Sequence, residues 1–325
     1  MTPRMVLTVA AQAAAVLLML AGDAVSQTYP TKPIRVVLPF APGGTSDGLA
    51  RIIGPKLGEG LGQSLVIDNR PGAGGNIAAE IVAKSAADGY TLYMGSAVLT
   101  TSKSLYSKLP FDPERDFAPI THLATGPYFL VVHPSVPAKT VSELIALAKA
   151  RQGGLNYASS GVGVPSHLAA ELFKSRAGID MVHVAYKGGG PAGLAVLAGE
   201  TQVFFGTGAS ALSHVKAGRL RALAVTGLQR SVLAPELPTL DESGFRGFNI
   251  TTWDSFVAPA GTPQAVIARI HAETVKVLRM PEIRERIINI GYEPTGTTPK
   301  ELAEFLRAEA AILAKVIKDA NIRVD

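Results

Sequence analysis

Residues 34–40 read IRVVLPF, a short β-branched and apolar run that the glycine segment 41–46 (APGGTS) brings to an end. From Asp47 to Leu57 the apolar period changes, and Leu49, Ile52, Ile53 and Leu57 fall on one side of a helix. Thr45 or Ser46 is the expected N-cap, because a hydroxyl there can accept from first-turn amides. Further strands are expected at 64–68 and 90–94, with a glycine loop at 71–75 and a helix to about Ser85 between them. After Pro127 the plan repeats. Strands are expected at 128–132, 155–158, 183–186, 202–205 and 220–225. Helices are expected at 141–149, from Pro165 to the stop at Gly178, at 191–198 and at 210–217. This alternation predicts two successive α/β halves with parallel sheets covered by helices. Residues 251–259 (TTWDSFVAP) read as a strand leaving one half for the other. Thr262 with Pro263 starts a helix through Leu278, Pro281 starts another, and Pro299 opens the last. Its apolar positions Leu302, Phe305, Ile312, Leu313 and Val316 are expected to cover the first sheet.

The N-terminal segment reads as an address. Arg4 is followed by an apolar run at 6–21, too short for a membrane span, and polar residues follow at once. Small residues Ala24 and Ser26 place cleavage before Gln27, with cleavage after Ala24 as the alternative. The mature chain is therefore expected to be exported and soluble in the periplasm.

Composition narrows the chemistry. The chain has 325 residues, of which 47% are hydrophobic, so it can build a large core. It has no cysteine, which excludes a disulfide scaffold, thiolate zinc, an iron–sulfur cluster, a cysteine nucleophile and a lipid anchor on cysteine. The net charge of +5 is spread along the chain and aromatics are 6%, a poor nucleic-acid surface.

In an open parallel sheet ligands sit beyond the carboxyl ends of the strands. Here those ends carry Pro42-Gly43-Gly44-Thr45-Ser46, Gly95-Ser96, Ser159-Ser160-Gly161 and Gly206-Thr207-Gly208. Free helix N-terminal amides, glycines that permit close approach, and hydroxyls that turn either way suit an anion without a charged side chain. Each such dipole contributes about 0.3–1 kcal/mol, so several loops must converge. Any one of these loops alone is also an ordinary βα turn, and 71–75 reads as a turn. His167 could anchor a ligand or be a satisfied histidine in a helical first turn. Tyr186 and Trp253 could line a cleft or belong to a core. Asp47 could hold the first loop by capping or receive an amino group. The segment 44–48 also matches G-x-S-x-G after a strand, the context of a nucleophile elbow, but none of the six histidines lies in a telling loop with an acid partner. The segment 206–211 has the dinucleotide-like G-x-G-x-x-A pattern without the acidic residue expected about 20 positions on.

Taken in order from Tyr29 to the C-terminus, the segments YPTKPIR, VLPFAPGG with Asp47, NRPGAGG, DGYTL, LNYASSG, YKG, LRALAVT and APAGTP make the chain resemble the extracytoplasmic solute receptors of tripartite tricarboxylate transporters, the Bug proteins. The resemblance implies a type II periplasmic-binding-protein fold, two α/β domains joined by two crossing strands around a ligand cleft. The expected boundaries are a signal peptide at 1–26, one domain at 27–126 plus 252–325, and the other at 127–251. It implies no catalysis and no cofactor or metal. The expected ligand is a small carboxylate: an organic acid, an acidic amino acid or an aromatic acid. It would be held largely by backbone groups and water and delivered to membrane permease subunits by a receptor taken as a monomer. The resemblance places the ligand between the loop of Phe40, Ala41, Pro42, Gly43, Gly44, Thr45, Ser46 and Asp47 and the loop of Ser159, Ser160 and Gly161. With Ser96, His167, Tyr186, Thr207 and Asp254 these form the candidate binding set. The alternatives are a secreted α/β hydrolase using Ser46 and an orphan receptor that feeds a signalling protein.

Overall fold

The computed structural model describes residues 29–151, 153–319, 322 and 324. The expected signal at 1–26 lies outside them. The chain runs through β1 (Ile34–Leu38), α1 (Thr45–Leu61), β2 (Leu65–Asn69), α2 (Asn76–Ala83), β3 (Thr91–Gly95), α3 (Val98–Leu105) and β4 (Phe117–Pro127). It continues through β5 (Phe129–Val132), α4 (Val141–Ala150), β6 (Asn156–Ser159), α5 (Pro165–Ala177), β7 (Val182–Ala185), α6 (Gly189–Leu197), β8 (Val203–Gly206), α7 (Gly208–Lys216) and β9 (Arg221–Val225). Then come β10 (Thr251–Pro259), α8 (Gln264–Leu278), α9 (Pro281–Asn289), β11 (Glu293–Pro294) and α10 (Pro299–Asp319).

Two sheets form, one in the order β11-β4-β10-β3-β1-β2 and one in the order β7-β6-β8-β5-β9. Only Tyr128 separates β4 of the first from β5 of the second, and the chain returns to the first at β10. These crossings join two α/β lobes. The strand β1 buries Ile34, Val36, Val37 and Leu38, the near-continuous burial of a strand covered on both faces.

The sheets are mixed rather than purely parallel. Pairs β1–β2, β1–β3, β6–β7 and β6–β8 are parallel. However, β10 runs antiparallel to β3 and β4, and β5 antiparallel to β8 and β9. Both strands enter their sheet straight from the other lobe, with no helical crossover to bring them round in the same direction. Helix α3 went unread because half of its buried residues are polar: Thr100, Thr101 and Ser102 lie among Val98, Leu99 and Leu105, and the Thr100 and Thr101 hydroxyls both donate back to Ala97 O. That self-satisfaction lets hydroxyl residues occupy a core face and hides the apolar period.

Two caps differ from expectation. Gly44, not Thr45 or Ser46, caps α1, and no side chain accepts from its first turn. Pro263 caps α8, while the Thr262 hydroxyl donates back to Pro259 O. In α10, Leu302, Leu313 and Ile317 are buried, but Ile312 is 56% exposed. Phe305 on the same helix packs edge-on against Trp253 at 5.1 Å between ring centres, tying α10 to β10. Leu313→Ala is therefore expected to lower stability by about 2–5 kcal/mol, and Ile312→Ala to change it by no more than about 0.5 kcal/mol. Urea denaturation midpoints of the two variants check this.

Candidate functional site

The loop after β1 delivers α1 to the junction of the lobes. Gly44 is extended and its carbonyl accepts the first intrahelical bond, from Gly48 N–H at 3.0 Å. The N–H groups of Thr45, Ser46 and Asp47 precede that bond, so no carbonyl of the helix can satisfy them. Gly44, Thr45, Ser46 and Asp47 line a cavity of about 40 Å³ together with Phe40. Ser96 and Ala97 close it beyond β3, and Tyr128, Thr252 and Trp253 form its floor at the crossings. The other lobe adds Ser160, Val164, Pro165, Gly189 and Thr207. Within this lining the hydroxyls of Thr45 and Ser96 are buried and have no hydrogen-bond partner. Tyr93 OH faces Ser96 from behind, short of hydrogen-bond geometry.

The cavity contains no lysine or arginine. Its one lining carboxylate, Asp47, holds the loop: it accepts from Gly43 N–H at 3.2 Å and takes a two-pronged bond from the Arg51 guanidinium. Burial alone would raise the Asp47 carboxyl, but Arg51 and the Gly43 amide hold it below the ordinary carboxylate value. Of the two roles open for Asp47, the loop-holding one is therefore realised.

Beneath the first turn of α1 lies Asp254 of β10, fully buried. Ser46 Oγ donates to its Oδ1 at 2.6 Å, and Tyr292 OH donates to its Oδ2 at 2.8 Å. Thr252 Oγ1 stands 2.9 Å from the same Tyr292 hydroxyl. Burial pushes the Asp254 carboxyl up to about 6, against the two hydroxyls that favour its charged form. The Ser46 hydroxyl is thus committed to Asp254, while its backbone N–H has no acceptor within the helix. Among the described residues no histidine is hydrogen-bonded to Ser46 or Asp254, so the G-x-S-x-G match does not assemble a triad.

A second network shapes the opposite wall. Ser159 Oγ donates to Gly161 O at 2.8 Å and meets His183 Nε2 at 2.6 Å. With its own proton on Gly161, Ser159 must receive one from His183, which fixes that ring's tautomer. His183 stacks on His167 at 4.1 Å, and His167 Nδ1 accepts from Gly163 N–H. The pair clamps the turn that carries Ser160 and Val164. Burial is the largest cause lowering both imidazoles to about 4, and for His167 the neighbouring His183 adds to it.

Glycines let the lobes touch around the cavity. Ala41 N–H donates to Lys187 O at 2.9 Å, a main-chain bond between loops of different lobes. A Cβ on Gly190 would lie 2.9 Å from Pro42 O, and one on Gly208 would lie 2.5 Å from Gly291 Cα. A Cβ on Gly74 would meet Val162 O at 2.8 Å. Any side chain at these points would hold the lobes apart.

Of the candidate set, Phe40, Gly44, Thr45, Ser46, Asp47, Ser96, Ser160 and Thr207 line this cavity. Ala41, Pro42 and Gly43 sit outside the lining, where the first loop meets the other lobe. Ser159 and His167 lie behind the wall, and Asp254 lies beneath the floor. Gly161 and Tyr186 line a neighbouring cavity instead, and the Tyr186 hydroxyl donates to Glu200. Trp253 proves to be both core and lining. Tyr128 and Thr252 were missed, although a strand pair with no helix between them signals a crossing. Gly189 was missed as well, despite the three-glycine run that opens α6.

Two pH responses follow. The folded Asp254 carboxyl is raised from 3.8 to about 6, so its stabilisation is complete below 3.8 and is lost as pH rises through 6. The stability difference between wild type and Asp254→Asn should fall by roughly 2 kcal/mol from pH 4 to pH 7. The two histidines act in the opposite direction. Lowered to about 4, they stabilise fully above 6.5, and this is lost as pH falls to 4. His183→Gln should flatten that acid limb, as denaturation across the pH range would show.

A sequence profile described as "Tripartite tricarboxylate transporter family receptor" (TctC) matches residues 49–322. Protein BugT of Bordetella pertussis is 34% identical over 307 residues, covering 94% of each chain. Among solved structures, Rpa4515 of R. palustris, described with adipate, is 37% identical with a TM-score of 0.88. It matches 91% of this chain and 100% of its own. MatC of Rhodopseudomonas palustris, described with bound malate, is 30% identical with a TM-score of 0.85, over 89% of this chain and 100% of its own. A further neighbour at a TM-score of 0.88 is the periplasmic binding protein BugD. The two α/β lobes and their paired crossings are thus a periplasmic-binding-protein fold, and the chain belongs to the tripartite tricarboxylate transporter receptor family, with BugT among its relatives.

Proposed function

We propose that this protein captures a small carboxylate between its lobes and delivers it to the membrane permease of a tripartite tricarboxylate-type transporter. The observation that carries this reading is the donor set of the cavity. First-turn amides of α1 and the unpartnered hydroxyls of Thr45 and Ser96 converge where no cationic side chain is present. A helix N-terminus supplies about half a positive charge together with free N–H groups, and a carboxylate supplies the matching acceptors. The relatives described with adipate and malate support the same ligand class.

In this reading residues 27–126 plus 252–325 form one domain and 127–251 the other, and the two crossings act as the hinge. The sixteen candidate residues then divide by role. Those lining the cavity touch the ligand, Ala41, Pro42 and Gly43 belong to the contact between the lobes, Ser159, His167 and Asp254 hold the lining in place, and Gly161 and Tyr186 line the neighbouring cavity. The receptor works as a monomer in the periplasm after loss of residues 1–26, without turnover. No helix among the described residues is long and apolar enough to cross a membrane.

A thermal-shift panel of mono-, di- and tricarboxylates, amino acids and aromatic acids tests the reading. A true ligand at 100 times its Kd should add about 2.7 kcal/mol of stability. No stabilisation by any carboxylate would contradict it. Thr45→Val separates binding from folding, because the hydroxyl it removes has no partner in the protein. Its unfolding midpoint should hold or rise, while calorimetry should show carboxylate affinity falling by about tenfold or more, the loss of a hydrogen bond to a charged group.

A further inference from the structure

Asp254 is fully buried, and among the described residues no lysine or arginine acts on it. Its two oxygens have one hydroxyl each, from Ser46 and from Tyr292. The strands β3 and β4 flank it on β10. From β3 comes the phenol of Tyr93, and just beyond β4 comes that of Tyr128, both pushed up by burial and further by the Asp254 charge. His122 of β4, lowered to about 4 by burial, stands edge-on to Trp253, and Glu309 of α10 lies against the same indole. On α1 the charged neighbour of Ser46 is Asp47, already bound to Arg51. Asp254 is thus a carboxylate with no counter-charge.

The hydroxyls around it form a continuous line. Tyr292 has one proton and gives it to Asp254 Oδ2, so Thr252 Oγ1, 2.9 Å from the Tyr292 oxygen, is the donor in that pair. Thr252 and Ser46 both line the cavity at the first turn of α1. A hydrogen-bonded chain therefore leaves the cavity at Thr252, passes through Tyr292 to Asp254, and returns to the cavity at Ser46. An anion in that cavity is separated from the buried carboxylate by the Ser46 side chain, and a second negative charge so close favours the neutral acid.

We propose that Asp254 takes up one proton when an anion settles against the first turn of α1, so that the receptor loads its ligand and a proton together. This rests on the carboxylate-receptor reading above and adds the regulation of that site. The proton enters from cavity water at Thr252 Oγ1. The Thr252 proton passes to Tyr292, and the Tyr292 proton forms the new O–H bond at Asp254 Oδ2. Each hydroxyl ends with the one proton it began with. Because the coupling is reciprocal, the ligand draws the proton in and the proton tightens the ligand.

The test is calorimetry with adipate, malate, glutamate and benzoate, whose carboxylates are ionised at pH 7. Titrations in buffers of different ionisation enthalpy should show about half a proton or more taken up per ligand at pH 7, where Asp254 begins largely ionised. Affinity should rise about tenfold from pH 8.5 to pH 6. His122, His167 and His183, lowered to about 4, stay neutral over this range. Asp254→Asn should bring the uptake to near zero and flatten affinity against pH. Tyr292→Phe removes a donor to the charged form and should move upward the pH at which affinity levels off. The wild-type proton count needs no variant, so it decides the matter even where a variant folds poorly. Binding without proton uptake, or uptake that survives Asp254→Asn, overturns the proposal and leaves the receptor reading intact. Failure of all four acids to bind overturns the receptor reading and the proposal with it.

Discussion

A buried hydrogen bond from Ser46 to Asp254 sets the geometry of this molecule's junction. It ties the first turn of α1 in one part of the chain to β10, a strand that arrives about 200 residues later as it crosses between lobes. Ser46 lies inside the helix with its hydroxyl committed to Asp254, and Gly44 takes the cap position. A glycine cap leaves first-turn donors unspent. Those donors, together with two hydroxyls that have no partner, are the chemical content of the cavity. An unsatisfied buried hydroxyl costs about 1–3 kcal/mol, which is the ground on which we propose that these two serve a ligand.

Charge placement follows the same logic. A lysine or arginine in the cavity would bind any anion tightly and release it slowly. The donors here are instead fixed dipoles and neutral hydroxyls, and the one lining carboxylate is already neutralised by Arg51. Asp254 beneath the floor is raised only to about 6, so it is largely ionised at neutral pH, and the hydroxyls of Ser46 and Tyr292 donate to its two oxygens. On the opposite wall, Ser159 and the stacked histidines spend their hydrogen bonds on the turn 159–164 rather than on a ligand. Glycine pairs then allow main chain to meet main chain where the lobes touch. The Gly208–Gly291 contact exists only because neither residue carries a Cβ, and beside the Ala41–Lys187 bond a Cβ on Gly188 would lie 3.2 Å from Ala41 N.

Much of this was legible in the sequence, for identifiable reasons. Strand–glycine–helix units are marked by local period changes, so β1 with α1, and Pro165 opening α5, could be read from neighbours in the chain. The family resemblance rested on short segments, of which VLPFAPGG, NRPGAGG, LNYASSG and YKG contribute lining to the two cavities, while LRALAVT covers strand β9. What could not be read depends on distant pairs. Asp254 was in the candidate set, but its partners Ser46 and Tyr292 are far away in sequence. Antiparallel β5 and β10 follow from lobe crossing, which no local pattern encodes. His167 and Ser159 have the residue types of ligand contacts, yet they face each other's neighbourhood through His183 rather than the cavity. Ile312 matched the helical period within about one position and still faces solvent.

The most direct measurement is amide NMR of the protein labelled with ¹⁵N and titrated with a dicarboxylate. If the first turn of α1 holds a carboxylate, the N–H resonances of Thr45, Ser46 and Asp47 shift downfield together and saturate with the calorimetric Kd. Saturable binding that leaves those three resonances in place would contradict the account.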